Sequence, residues 1–268
     1  MKNIKIATLS ILATSIISAN TMAAEPLVLA VAPTITEQPA TSVGSLHVET
    51  ELGVILTTGN TETSSYKAKL LAKQETKNWK NKLLVDSLYK EDELESDSGA
   101  KTTEVTAEKY FVSVQGDYKL NEKHSALFVF SSYEDDRFSG YTYQGSVALG
   151  YSDRIFGNKI SFLEFSAGPG YSFNKTEAGI SDQAAMARIA VAYEYKLSSH
   201  AKFNQDLSTE ISVENDSNEK SKSESAITAN LMESLSLKAS YTITNNSEVE
   251  AGNENTDTTT SVGVVYVF

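Results

Sequence analysis

The sequence predicts an all-β protein, a single antiparallel transmembrane β-barrel of about 12 strands. Three observations carry this. Apolar and polar residues alternate along segment after segment from residue 45 to the end of the chain. The connections alternate between short turns and longer acidic loops, and aromatic residues gather at both ends of the apolar faces. A period of two marks strands whose faces meet different surroundings, and short turns opposite longer loops are the pattern of barrels that cross an outer membrane. Beyond the N-terminal leader no uninterrupted apolar run reaches 18 residues, so no membrane helix is expected, and strands need no such run.

Taken in order, residues 1–24 read as a signal peptide. Lys2 and Lys5 precede a mostly apolar stretch, and small residues lead to Ala23 and Ala24 before Glu25, with cleavage expected after either alanine. Residues 25–44 hold three of the four prolines without periodicity and read as a flexible periplasmic linker. The barrel is expected over residues 45–268. Leu46, Val48, Leu52 and Val54 oppose His47, Glu49 and Glu51; Tyr66, Ala68 and Leu70 oppose Lys67, Lys69 and Lys73; Leu83, Val85 and Tyr89 oppose Lys82, Asp86 and Lys90. The same alternation continues through Tyr110–Tyr118, Tyr143–Tyr151, Leu163–Tyr171 and Ala187–Tyr195. It is cleanest where Phe203, Leu207, Ile211 and Val213 oppose Lys202, Asp206, Glu210 and Glu214. Segment 125–133 is ambiguous, because Leu127 and Val129 fall on one face and Phe128 and Phe130 on the other. The last segment, SVGVVYVF, places Val262, Val264, Tyr266 and Phe268 on one face and ends the chain on a ring.

The expected turns are short at residues 76–80, 119–124, 197–200 and 233–236, and the loops longer at 91–101, 134–140, 174–183, 215–222 and 245–257. Tyr66, Tyr89, Tyr110, Tyr133, Tyr143 and Tyr171 fall toward the loops, and Trp79, Tyr118, Tyr151, Tyr193, Phe203 and Tyr266 toward the turns. Amphipathic rings settle where hydrocarbon meets headgroups, so two belts imply lipid outside. Tyr241, near mid-strand, breaks this pattern.

The formal net charge of −12, which becomes −14 once Lys2 and Lys5 leave with the leader, argues against nucleic acid as a partner. The chain has no cysteine, so neither a disulfide nor a lipidated cysteine can anchor it. Outer-membrane lipid and lipopolysaccharide are the expected surroundings, the cell outer membrane the expected location, and a monomer the expected state.

Three stretches carry a resemblance: YEDDRFSGYTYQGSVALGY at residues 133–151, FSAGPGYSF at 165–173 and TTGNTETSSY at 57–66. They resemble the YdiY-like, salt-induced outer-membrane protein family, domain of unknown function 481, over roughly residues 45–268. The resemblance implies an outer-membrane β-barrel of a Gram-negative bacterium and supplies no catalytic residue. The closing residues Val264, Tyr266 and Phe268 resemble the C-terminal signal read by the machinery that assembles such barrels.

An enzyme is not expected. His47, His124 and His200 are the whole supply of histidine; the first falls on the lumen face and the others in turns, away from where barrel hydrolases need a base beside a nucleophile or water. No cofactor or metal is expected. Gly168-Pro169-Gly170 lacks the Lys-Ser/Thr of a phosphate loop, and its proline suggests a bulge or bend. Glu134, Asp135, Asp136 and Arg137 form the densest charge cluster at a strand end. They could hold a cation or bridge lipopolysaccharide at the external rim, although a solvated loop with an internal ion pair is the simpler reading. In the lumen, Lys67, Lys69, Lys73, Lys82 and Lys90 gather on the second and third strands, and Asp206, Glu210 and Glu214 on the ninth. One wall is thus expected to be basic and another acidic, across a narrow or nearly closed pore. The expected function is a structural or weakly conducting barrel, linked through the resemblance to salt or osmotic stress; the alternative is a surface protein whose acidic loops bind cations, lipopolysaccharide or a partner.

Overall fold

The computed structural model describes residues 44–57, 62–95, 101–120, 124–137, 139–213, 218–249 and 255–268. The expected signal peptide, all of the expected linker but Gly44, and Glu214 lie outside the described residues. Twelve strands form the described chain: β1 Leu46–Thr57, β2 Glu62–Glu75, β3 Trp79–Glu95, β4 Lys101–Lys119, β5 Ala126–Asp136, β6 Tyr141–Gly157, β7 Ser161–Thr176, β8 Ser181–Lys196, β9 Ala201–Ser212, β10 Lys220–Asn230, β11 Leu235–Asn246 and β12 Thr256–Val267. Each pairs antiparallel with its sequence neighbours, and β1 pairs with β12, so the sheet closes into a barrel.

Closure explains the apolar C-terminus. β12 meets β1 from Glu49 opposite Val267 to Gly53 opposite Gly263, and the Phe268 amide donates to the Val48 carbonyl at 2.9 Å. An open edge in hydrocarbon would leave a row of backbone groups without partners, at several kcal/mol each, which a closed ladder avoids. Val264, Tyr266 and Phe268 all face outward, and the Tyr266 and Phe268 rings pack edge to face at 4.7 Å.

The faces follow the alternation. Val85, Val112, Leu149 and Val264 are exposed on the outer surface, while Lys67, Glu51, Arg188 and Glu224 are buried inside. On β5 the structure resolves the ambiguity: Leu127 and Val129 point outward, more than half exposed, and Phe128 and Phe130 point into the lumen with 2% and 6% exposure. The aromatic rings pair across neighbouring strands at each end, Tyr66 with Tyr89 and Tyr133 with Tyr143 on the loop side, Trp79 with Tyr118 and Tyr193 with Phe203 on the turn side.

Two expectations are corrected. First, the acidic loops are shorter than the sequence suggests, because much of each is strand. β3 and β4 run 17 and 19 residues, past the roughly 9–11 that span hydrocarbon, and β5 ends at Asp136 only four residues before β6 begins. Second, Pro169 marks no bulge. The β6–β7 register shifts fall at Tyr141/Tyr143 and Arg154/Phe156, where non-proline residues absorb the extra residue; Pro169 pairs with Ala187 on its other side. The outer face also carries polar side chains. On β9 and β10, Gln205 Nε2 donates to Ser223 Oγ at 3.1 Å, Ser225 Oγ donates back to Gln205 Oε1, and Thr209 and Ser221 share a hydrogen bond at 2.8 Å. These groups satisfy one another, which is the condition for polar side chains to persist in lipid. Tyr241 pairs in register with Ser225 and Thr260 beside this strip, which accounts for its departure from the belts.

Candidate functional site

Among the described residues the lumen gathers chemistry-bearing side chains in number, and it does so at three levels. Around β10, β11, β1 and β2 an ionic chain alternates in sign: Lys69 Nζ lies 2.9 Å from Glu224, Glu224 2.9 Å from Lys238, Lys238 2.9 Å from Glu51, and Glu51 3.8 Å from Lys67. Lys67 also donates to Ser261 Oγ at 3.3 Å, and Ser261 shares a 2.7 Å bond with Ser240. All five charged side chains are nearly buried. Each carboxylate serves two lysines, the arrangement in which buried charges cost least.

The lysines of the expected basic wall take most of their acids from strands other than β9. Lys67 and Lys69 take their acids from β1 and β10, Lys73 lies 3.7 Å from Glu49, and Lys90 pairs with Asp92 on its own strand at 2.8 Å. Lys82 feels the charge of Asp206 without forming an ion pair among the described residues. Glu210 turns to Ser146 at 2.9 Å and to Arg188 at 3.9 Å. The shear of the barrel decides which side chains meet, and it sets β2 against β10 rather than β9.

The second level lies toward the loops. Glu134 pairs with Lys220, reaching across from β10, and with Lys109 at 3.1 Å; Lys109 also holds Asp136 at 3.1 Å. This corrects the reading of residues 134–137 as one rim cluster. Alternation sends Glu134 and Asp136 into the lumen, and Arg137 pairs instead with Glu108 at the exposed edge. Among the described residues no cluster of three or more His, Asp or Glu side chains could hold a metal ion. Tyr141, turned inward by the bulge beside it, donates its hydroxyl to the Glu248 carbonyl at 2.8 Å and ties β6 to the β11–β12 connection.

The third level is a constriction of large side chains over a floor of small ones. In register across the wall run Phe128, Gly150 and, on β7 and β8, Gly168 and Arg188; the next row is Phe130, Ala148, Gly170 and Met186. A side-chain carbon on Gly168 would lie 2.6 Å from Gly150 Cα and collide with the Leu149 carbonyl, so the two backbones need glycine to approach as they do. The low floor lets the Arg188 guanidinium reach over two strands to lie 3.8 Å above the Phe130 ring. Phe128, Phe130, Ala148 and Met186 form a buried apolar cluster. Above it a cavity of about 70 Å³ remains, bordered by Phe130, Glu134, Arg188, Glu210 and Lys222.

The histidines lie where the alternation places them. His47 is in the lumen, 2.9 Å from Glu49. His124 and His200 are in turns between strands, and partial burial with Arg154 and Lys80 nearby holds His124 below the usual imidazole range. His200 Nδ1 lies 3.0 Å from the Ser199 hydroxyl in an exposed turn. What sequence reasoning missed was the constriction, although its signal was present: a strand apolar on both faces must find an apolar partner inside as well as outside.

A family model described as "Protein of unknown function, DUF481" matches residues 50–268. The chain belongs to the DUF481 family. It is 26% identical over 234 residues to the uncharacterized protein YdiY of Escherichia coli K12, with 87% of each chain covered. Among solved structures, an outer-membrane channel from Pseudomonas putida F1 aligns with a TM-score of 0.50 at 11% identity, over 88% of this chain and all of that one. The translocator domain of the autotransporter NalP from Neisseria meningitidis aligns with a TM-score of 0.46 at 12% identity, over 86% of this chain and 90% of that one. With its closed ring of twelve antiparallel strands and the match to the Pseudomonas putida channel, the DUF481 chain has the fold of an outer-membrane β-barrel.

Proposed function

We propose that this DUF481 barrel resides in the outer membrane of a Gram-negative bacterium and works as a narrow, weakly conducting pore, not as an enzyme. The observation that carries the reading is the filled lumen: two levels of ion pairs crossing it and a constriction of Phe128, Phe130 and Arg188. Water and small ions could pass such paired charges one at a time, whereas a sugar-sized solute could not. Lipid and lipopolysaccharide are its surroundings, the barrel-assembly machinery its partner during biogenesis, and the monomer its working state. The link to salt or osmotic stress rests on the family resemblance alone. A surface-binding role loses support because Glu134 and Asp136 are engaged by lumen lysines.

Planar-bilayer recordings of the refolded mature chain test the reading. A small conductance, well below that of an open porin and raised by Phe130→Ala, is expected. No current in any salt would leave a structural barrel and end the pore reading. Monodisperse behaviour in plain buffer without detergent would end the membrane reading altogether.

A further inference from the structure

Most lumen charges have partners, but two cations beside the cavity of about 70 Å³, Arg188 and Lys222, are poorly served. Arg188 is nine-tenths buried, and its Nε and Nη1 have no hydrogen-bond acceptor. Its nearest carboxylate, Glu210, stands 3.9 Å away and already accepts from Ser146. Lys222, on the same cavity, forms no ion pair among the described residues; its ammonium faces the Phe111 ring at 5.3 Å, with the charge of Asp86 within reach. The other lining carboxylate, Glu134, is taken by Lys220 and Lys109. The cavity therefore holds unsatisfied cationic donors, while its acids are already engaged. A buried guanidinium lacking acceptors carries a desolvation cost that an anion would remove, and the apolar floor beneath it strengthens any charge pairing. A water needs about 10–15 Å³ measured in this way, so the space admits a few waters or one small ion in their place.

We propose that this cavity binds one small inorganic anion of phosphate size between Arg188 and Lys222. The site rests on the lumen being reached by water, as in the proposed pore, but binding is measured without current, so the two readings fail separately.

The test uses the full mature chain refolded in detergent and its thermal unfolding midpoint in sodium phosphate against sodium gluconate, at equal pH and ionic strength. Gluconate is an anion too bulky for the space. Phosphate is expected to raise the midpoint in a saturable way, as a ligand of the native state must. Lys222→Gln, which breaks no ion pair, is expected to leave the midpoint in gluconate unchanged and weaken the apparent phosphate affinity about tenfold or more. Arg188→Lys is expected to weaken it as well; if that variant does not fold, Lys222→Gln decides alone. Equal midpoints in the two salts, or phosphate affinity unchanged in Lys222→Gln, would overturn the site. A saturable shift in a barrel that carries no current would uphold it and count against the pore alone.

Discussion

The two halves of the lumen are filled by different means. Around β10, β11, β1 and β2, five charged side chains link head to tail, and small hydroxyls such as Ser240 and Ser261 close the gaps. Around β5 to β8, two strands contribute almost nothing, Gly150, Gly168, Gly170 and Ala148, so that the flanking strands can lay Phe128, Phe130, Met186 and Arg188 across them. The ionic half holds together by charge pairing in a place of low dielectric, the aromatic half by shape. A barrel of twelve strands is wider than the eight-stranded barrels that side chains just fill and narrower than the open porins. Both halves fill that width, with different vulnerabilities.

The largest effect is expected at the hub of the ionic half. Glu224 is the only carboxylate within ion-pair range of Lys69 among the described residues and one of two for Lys238. Glu224→Gln keeps the shape and removes the charge, leaving two lysines buried with too little compensation. Breaking a buried pair in this way costs about 3–5 kcal/mol, read as a lower urea midpoint of the refolded barrel. Replacing all five charged members of the chain by apolar residues of similar volume should recover much of that loss. If Glu224→Gln unfolds at the wild-type midpoint, the chain is not what holds this half.

A smaller loss is expected in the aromatic half. Gly168→Ala places a methyl against the Leu149 carbonyl and Gly150 Cα, and the strands must part to admit it. Overpacking of this kind costs about 1–3 kcal/mol and should also weaken Arg188's reach to Phe130. The same urea titration measures the first effect. Gly150→Ala should not add fully to it, since the two glycines face each other and one separation serves both.

How much of this was legible follows from what sets each feature. The strand count, the facing of Lys67, Glu51 and Glu224, and the closing role of Phe268 depend on a period of two and on lipid outside, both written locally in the chain. The pairing of Lys69 with Glu224 depends on closure and shear, which bring β2 and β10 together across the lumen although 155 positions separate the two residues. No local pattern encodes that. The constriction stood between these cases. Gly150, Gly168 and Gly170 were visible as interruptions of the inner face, but their purpose appears only when Phe130 and Arg188 lie over them. At residues 134–137 adjacent charges on a strand belong to opposite faces, so Glu134 and Asp136 leave Asp135 and Arg137 behind.

The smallest effect is expected outside both halves, and it tests whether burial is what separates them from the rest. Arg137 and Glu108 form a close ion pair, yet the arginine side chain is 65% exposed at the rim. Water screens such a pair, and ordering two long side chains opposes it, so exposed pairs contribute little. Arg137→Ala should therefore unfold close to the wild-type midpoint, and raising the salt should narrow the difference further. The Glu224→Gln loss should change less over the same salt range, because Glu224 and its lysines are nearly buried and lie close together. If instead Arg137→Ala costs as much as Glu224→Gln, burial in the lumen confers no advantage on an ion pair, and the contrast between a charge-filled half and a shape-filled half loses its physical basis.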